Sequence, residues 1–221
     1  MTKGIGRLSV AGRAGIARRS VATRFGQANA QEPYTFPAGS FTFTPPKAGY
    51  WKIVLWGAGE SGHQPGVGGY SGSYLEKTVF LTPTQPVALV VASISDSTAT
   101  TATLTNGTVL SAGSASGGVA GTATGGDVNL AGSAGGTAGG TTGTSGLGTG
   151  GGTGGAGDGG AIGGGAGAPA NLPYRGGPGG AYNPGSVSIF NGKTPGGGGS
   201  ASGSVAGTGG SGKAIIAFIR D

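Results

Sequence analysis

The sequence contains no cysteine and one histidine, His63. Without cysteine the chain forms no disulfide and offers no thiolate metal ligand or cysteine nucleophile. A single histidine makes a histidine-based metal site or a Ser-His-Asp triad hard to assemble. No run of apolar residues approaches the roughly 20 that a membrane-spanning helix needs. We therefore expect no metal site, no cofactor and no membrane insertion.

Charged residues are also scarce, at 9% of the chain, and they are unevenly distributed. Six of the thirteen Lys and Arg residues lie within the first 24 positions, and no acidic residue precedes Glu32. A protein that binds nucleic acid carries basic residues across a folded face, whereas here the surplus lies in a terminal segment, so we expect no nucleic-acid ligand. The acids are scattered singly, with no pattern that pairs Glu60, Glu76 or Asp96 for acid catalysis. The sequence predicts no catalytic residue and no enzyme activity.

Glycine is abundant, with 56 residues, and it dominates positions 111–168 together with Ala, Ser and Thr. Such a segment cannot build a core of side chains, because burying Gly and Ala removes little apolar area from water. Glycine recurs at every third position from Gly148 to Gly163, which is the period of an extended threefold helix. The backbone groups of such helices need partners, which neighbouring helices can supply. We predict a bundle of polyglycine II helices here, with a flexible Gly/Ser linker as the alternative.

The first 33 residues form a segment of their own, rich in Arg and Ser and free of acids before Glu32. This composition is also typical of a mitochondrial transit peptide. We interpret the segment as an extended arm that docks on a partner through Arg side chains and spaced apolar residues. A solvated tail is the alternative. The residues expected to make the contact are Arg7, Leu8, Arg13, Ile16, Arg18, Arg19, Arg24 and Phe25.

The rest of the chain shows alternating and apolar runs typical of β-strands. These runs are SFTFT, YWKIVLWG, SYLEKTVFL, VALVVASI and the closing KAIIAFI. Asn106-Gly107 predicts a type I′ hairpin turn, and residues 57–73 are interpreted as a loop. The closing strand is apolar throughout and has no neighbour in sequence, so it must return to the earlier sheet. We predict a small antiparallel β-sandwich of residues 34–112 and 212–221, with a glycine-rich insertion at 113–211.

Residues 169–193 differ from the rest of the insertion because large side chains return there. Loops with aromatic residues and arginine on a rigid support are common recognition sites, although these side chains could equally cover the end of the bundle. The glycines before Lys213 come close to a phosphate-binding loop. However, Ala214 stands where Ser or Thr is required, and a strand follows in place of a helix, so no nucleotide site is expected.

The bracketing strands carry a resemblance to a known family. FTFTPPKAGYWKIVLWGAGESG, GVGGYSGSYLEKTVFLTPTQPVALVV, TVLSAGSASGGVAG and GGSGKAIIAFIRD resemble the glycine-rich domain of bacteriophage tail-fibre and minor tail proteins. The resemblance covers about residues 34–221. Thr84-Gln85-Pro86 departs from the usual Pro-Gly turn, and Val91-Ala92-Ser93 stands where a glycine pair is common. Members of this family are similar to fibre tips and adhesins that present variable loops at the end of a polyglycine II bundle.

The resemblance implies a virion protein of the tail or of a surface projection. Its arm would dock on other virion proteins, with a homo-oligomer expected on the particle, and its loops would contact a host surface glycan or outer-membrane protein. A decoration or spacer protein without receptor binding is the first alternative, and an ice-binding protein is the second. The residues to which receptor contact would be carried over are Tyr174, Arg175, Tyr182, Asn183 and Phe190.

Overall fold

A computed structural model describes residues 31–62, 68–94, 97–135, 176–177, 179, 191–202 and 205–221. This part of the chain is mainly β and contains no helix. The predicted arm and the glycine repeat from Gly148 to Gly163 lie outside the described residues. The strands are β1 (Tyr34–Phe36), β2 (Gly39–Phe43), β3 (Gly49–Trp56), β4 (Tyr74–Leu81), β5 (Val87–Val91), β6 (Thr100–Thr103), β7 (Val109–Ala112), β8 (Ala123–Thr124), β9 (Val128–Leu130), β10 (Ala201–Ser202), β11 (Val205–Ala206) and β12 (Lys213–Arg220).

Ten of these strands form two antiparallel sheets of five strands each. The first sheet has the order β1-β12-β3-β4-β9, and the second has the order β2-β5-β6-β7-β8. β10 and β11 form a separate antiparallel pair. The two five-stranded sheets are called the two-sheet body below.

One hydrophobic core joins the two sheets, because every second side chain of their longer strands points to the same interior. Trp51 and Ile53 of β3 meet Leu89 of β5 and Leu110 of β7 in this core. Phe43 and Phe218 pack edge to face against Trp51, both with ring centroids 5.2 Å from that of Trp51. The alternating apolar residues in the sequence therefore mark the buried face of these strands, as in Phe41 and Phe43 or in Val87, Leu89 and Val91.

The sheet edges are joined by short chain segments that pass from one sheet to the other. β1 belongs to the first sheet and β2 to the second, and only residues 37–38 separate them. At the other side, residues 125–127 connect β8 in the second sheet to β9 in the first. Gly125 makes that crossing with a φ of 89°, which favours glycine. Both edges end in strands of two to five residues, which limits pairing with other chains.

The closing strand β12 lies inside the first sheet, between β1 and β3. The prediction that it returns to the earlier sheet is therefore confirmed. Ala214 to Ile216 are buried, but Ile219 is 45% exposed, so cover on both faces extends over the first half of the strand only.

β-structure continues to Leu130, beyond residue 112, where the sequence pattern ended the sandwich. The physical reason is that short segments of the glycine-rich region still supply apolar side chains to the sheets. Ala123 packs against the shared core, and Val128 and Leu130 pack on the outer face of the first sheet.

The β6–β7 hairpin is present, but its turn differs from the predicted type I′ form. The Gly107 N–H donates to the Leu104 carbonyl at 2.9 Å, which centres the turn on Thr105 and Asn106. Leu104 N–H donates to the Thr108 carbonyl at 2.9 Å, which closes a three-residue loop. The Asn106 side chain accepts the Thr108 N–H, and Gly107 takes the left-handed conformation, with a φ of 82°. This side-chain bond supports the longer loop, a feature that the Asn-Gly pair alone does not specify.

Candidate functional site

Every residue that the sequence singled out for docking or receptor contact lies outside the described residues. This applies to the arm residues from Arg7 to Phe25 and to the loop residues from Tyr174 to Phe190. His63 and Asp96 also lie outside the described residues. The predicted docking and receptor-contact residues therefore remain predictions. The described residues contain two other features that could serve a function.

The first feature is a group of extended glycine-rich segments at one end of the two-sheet body, called the glycine-rich block. Residue 57 follows β3, residue 73 precedes β4, residue 113 follows β7 and residue 212 precedes β12. Because β4 and β12 both run antiparallel to β3, these three strands meet the block at the same end of the first sheet. The segments of the block are residues 57–62, 68–73, 113–115, 121–122, 131–135, 192–200 and 207–212.

Backbone hydrogen bonds between these segments repeat at every third residue. Gly57 and Glu60 donate to the carbonyls of Ser73 and Tyr70, at 3.0 and 2.9 Å. Gly59 and Gly62 donate to residues 210 and 207, at 2.8 and 2.9 Å. In a β-strand pair, the groups that face one neighbour recur at every second residue. The period of three therefore distinguishes the block from the sheets that lead into it.

A third pair of segments repeats the same pattern. Gly69 donates to the Gly199 carbonyl at 2.7 Å, and Gly72 donates to the Gly196 carbonyl at 3.1 Å. Donors and acceptors are again three residues apart, and the two segments run in opposite directions.

The segment of residues 57–62 has more neighbours than a strand in a sheet. It donates to residues 68–73 and 207–212. Its carbonyls also accept the N–H groups of Ala115 and Gly199, both at 2.9 Å. A strand bonds to at most two neighbours in one plane, whereas this segment bonds to four, so the block is packed in three dimensions through its backbone.

Close backbone approach explains why these positions are glycine. A Cβ at Gly59 would overlap the Gly197 carbonyl oxygen, and one at Gly69 would overlap that of Glu60. A Cβ at Gly132 would overlap the Ser71 carbonyl oxygen. Any side chain at these positions would push two segments apart and break hydrogen bonds between them.

The few polar side chains buried in the block are engaged by its backbone. Ser71 Oγ accepts the Ser133 N–H at 2.8 Å, and Ser73 Oγ donates to the Gly113 carbonyl at 3.1 Å. The Glu60 carboxylate is buried and accepts the Gly118 N–H at 3.0 Å. Gly118 belongs to a tight turn in which Ser116 and Val119 exchange two backbone hydrogen bonds. The buried Glu60 carboxylate therefore binds this turn to the block.

Glu76, on the outer face of the first sheet, is paired across strands. Lys52 Nζ lies 2.8 Å from Glu76 Oε2, and the Tyr74 hydroxyl donates to Oε1. Glu76 is buried, whereas the Lys52 side chain is 28% exposed. The alternation of the sequence places Glu76 on a face but does not reveal its partner Lys52, which lies on the neighbouring strand.

Asp127 extends the edge of the same sheet with its side chain. One carboxylate oxygen accepts the Lys77 ammonium at 2.6 Å, and the other accepts the Thr78 N–H at 2.9 Å. These two hydrogen bonds hold the pKa of Asp127 below its ordinary value, and the bond from Lys77 has the larger effect. The carboxylate therefore occupies the position at which a longer β9 would have placed a backbone carbonyl.

The second feature is an exposed cluster at the end of the body opposite the block, called the aromatic patch: Tyr50, Phe80, Ile219 and Arg220. Tyr50 and Phe80 face each other across β3 and β4, with ring centroids 5.3 Å apart and an interplanar angle of 74°. The Arg220 guanidinium lies 5.1 Å from the centre of the Tyr50 ring. Phe80 is 52% exposed, which is unusual for so large an apolar side chain.

Sequence reasoning did not identify either feature in this form. Residues 57–62 and 68–73 were interpreted as one loop, because each is too short to show a repeat. The signal that could have found them is their position: Gly57 and Gly59 follow β3, and Gly69 and Gly72 precede β4, at the same end of the sheet.

Within the part of the chain that the structure describes, no three His, Asp or Glu side chains are grouped so that they could hold a metal ion. No helix long and apolar enough to cross a membrane occurs in that part. The chain matches no family model and no curated protein sequence.

Proposed function

We propose that this protein is a bacteriophage virion protein of the tail-fibre or tail-tip type. It is attached to the particle by its N-terminal arm and contacts the host cell surface through loops at residues 169–193. The observation that carries the proposal is the three-residue hydrogen-bond repeat of the glycine-rich block. The resemblance of the bracketing strands to phage glycine-rich domains points in the same direction.

We infer that the block consists of polyglycine II helices and that the body is a β-sandwich. Three facts support the helices: donors and acceptors are spaced by three residues, one segment has four neighbours, and the contact positions exclude a Cβ. Polyglycine II combines a threefold repeat with bonds between chains, whereas a flexible linker would show neither. The same inference extends to the long repeat from Gly148 to Gly163, by sequence alone.

A block of this kind suits a projecting virion element. It joins directly to six strands of the body, so force applied to it would be transmitted through backbone hydrogen bonds. Its core needs no large side chains, so its loops can carry different residues without loss of packing. Gly177, whose N–H donates to the Pro195 carbonyl at 2.6 Å, follows Tyr174 and Arg175 by two or three positions. The predicted contact residues are therefore linked closely in sequence to the block.

The test is binding of purified protein to whole host cells. The variant with Tyr174, Arg175 and Tyr182 all replaced by alanine should fold normally and lose binding, because aromatic and Arg anchors dominate interfaces, at about 2 kcal/mol or more each. A matched control replaces Tyr70, which lies within the block, by phenylalanine. A triple variant that binds cells as well as the parent would favour the spacer function instead.

Ice binding is a second candidate, and one specific observation favours it. The outer face of the second sheet is uncharged and carries cross-strand rows of Ser, Thr, Val and Ala. One row contains Ser40, Val90, Thr101, Ser111 and Thr124. A regular array of hydroxyl groups on a sheet could order water. A thermal-hysteresis assay separates this candidate from the virion proposal, which predicts no hysteresis.

A further inference from the structure

We propose that the aromatic patch is a docking surface for an acidic protein partner within the particle. This inference rests on the proposed virion function and deepens it. The arm was expected to attach the protein to the particle alone, and the patch would add a second contact made by the folded body. The patch lies on the first sheet, at the end of the body away from the glycine-rich block.

The direction of β3 places the patch. β3 passes into the block after Trp56, so Tyr50 lies near the opposite end of the strand. Phe80 and Arg220 are the cross-strand partners of Tyr50 in β4 and β12. The patch and the block therefore occupy opposite ends of the first sheet.

β1 shows from which end the chain enters the body. Tyr34 is level with Ile216, and Phe36 is level with Ala214, which lies closer to the block. Residues 31–33 therefore lead into β1 from the end of the sheet that carries Arg220.

Two local backbone features expose the side chains of the patch. Ile219 is the extra residue of an irregularity in the pairing of β12 with β3, and it is 45% exposed. Such bulges redirect side chains at the edges and ends of sheets. Gly49 lies beside it with a φ of 151°, and a Cβ there would come within 2.6 Å of the Arg220 carbonyl oxygen. Glycine at this position therefore allows β12 to approach and present Ile219 and Arg220.

The geometry of the rings favours a protein over a glycan. Sugar rings stack on a flat aromatic face, but Tyr50 and Phe80 meet edge to face, and the guanidinium of Arg220 lies over the Tyr50 ring. Tyrosine and arginine in contact with another aromatic ring are instead the residues that dominate protein interfaces.

The charges indicate an acidic partner. Lys52 is paired with Glu76 and Lys47 with Asp221, whereas Arg220 forms no ion pair within the described residues. All six charged residues before Glu32 are basic. Both the patch and the N-terminal segment therefore carry positive charges that complement acidic groups.

The experiment measures binding of the full chain to purified particles assembled without it. Tyr50→Thr combined with Phe80→Thr should weaken binding roughly tenfold or more, because threonine keeps the strand and removes the rings. Val90→Thr is the matched control, since Val90 is 45% exposed on the other sheet, and it should leave binding unchanged. Arg220→Glu should also weaken binding, and it keeps the test decisive if the double variant melts early.

Three other outcomes would each contradict a different claim. If the double variant binds particles like the parent chain, the patch is not a docking surface, although the virion function stands. If sedimentation shows that the patch residues instead hold two copies of this chain together, the partner is wrongly assigned. If the parent chain itself does not bind particles, the proposed virion function fails with it.

Discussion

At the scale of single residues, glycine acts in two different ways in this chain. In the glycine-rich block it allows backbones to touch, as at Gly59, where a Cβ would overlap the Gly197 carbonyl oxygen. In turns it provides a positive φ, as at Gly117, where a Cβ would meet nothing within 4 Å but φ is 61°. Replacing glycine by alanine distinguishes the two roles, because only the glycines of the block allow segments to pack together.

We predict that Gly59→Ala destabilises the protein far more than Gly117→Ala. The methyl group at residue 59 must push residues 57–62 and 192–199 apart, which breaks several hydrogen bonds at about 1 kcal/mol each and strains the rest, for a total of about 3 kcal/mol or more. At residue 117 the cost is that of a left-handed alanine, about 1 kcal/mol. Urea unfolding of both variants measures the difference, and equal losses would contradict backbone packing.

Asp127 provides a residue-scale prediction about pH. Its pKa is lowered in the folded state by hydrogen bonds from Lys77 and Thr78, so its ionised form stabilises the fold. This contribution is complete above the unfolded pKa, near 3.8, and is lost as the pH falls through the lower folded value. Because the carboxylate is half exposed, we expect Asp127→Asn to cost only about 0.5 kcal/mol at pH 7 and less at pH 2.

The matched control for this measurement is Asp221→Asn. Asp221 lies 3.4 Å from Lys47, but its side chain is 88% exposed, so its loss should not change stability at either pH. Denaturant unfolding at the two pH values is the measurement. A cost for Asp127→Asn that is the same at low and neutral pH would show that charge has no part in it.

At the scale of elements, the chain changes its mode of packing where six strands of the body meet the glycine-rich block. Up to Trp56 the first sheet is held by side chains, and packed sheets lie about 10 Å apart. From Gly57 onward the interior consists of backbone, and segments that continue different sheets bond directly, as Ser73 N–H does to the Gly113 carbonyl at 2.9 Å. One continuous chain therefore passes from a side-chain core to a backbone core within one residue.

Hydrogen exchange should reveal the backbone core directly. We predict that the amides of Gly59, Gly62, Gly69 and Gly72 exchange roughly a thousandfold or more slower than unstructured glycine, because each is bonded inside the block and opens only with it. The amide of Gly117, at the exposed tip of its turn, provides the internal control and should exchange fast. Exchange of the four block amides at the rate of Gly117 would count against an ordered block.

The strands could be predicted from the sequence because their core face alternates, as in Val87, Leu89 and Val91. The return of β12 followed from its unbroken apolar run. The block at residues 57–62 and 68–73 was not predicted, because each segment holds only one threefold interval, Gly59 to Gly62 or Gly69 to Gly72, which is too short to distinguish it from a loop. The Lys52–Glu76 pair and the aromatic patch depend on register between strands, which a linear pattern does not specify. The turn at Asn106 depended on one side-chain hydrogen bond.

At the scale of the whole molecule, the sheets and the block form one unit that begins after residue 30. Residues 1–30 and residues 31–221 are two separate units, and all described strands and core residues belong to the second unit. Within that unit the seven acids balance the seven bases, so its folding needs none of the charges of the first.

We therefore predict that deletion of residues 1–30 leaves the remaining chain folded and abolishes its incorporation into particles. The melting temperature should stay within about 2 °C of the parent value, because a loss below about 0.5 kcal/mol shifts a chain of this size by no more than that. Incorporation should fail because the basic and apolar side chains from Arg7 to Phe25 would make the main contact with the virion. A second, full-length variant replaces the six basic residues of the arm by glutamine and keeps its apolar residues. It should also fail to incorporate, because the charges are lost. If the truncated chain melts as the parent does and still enters the particle, the attachment lies in the folded unit, and the aromatic patch becomes its main site.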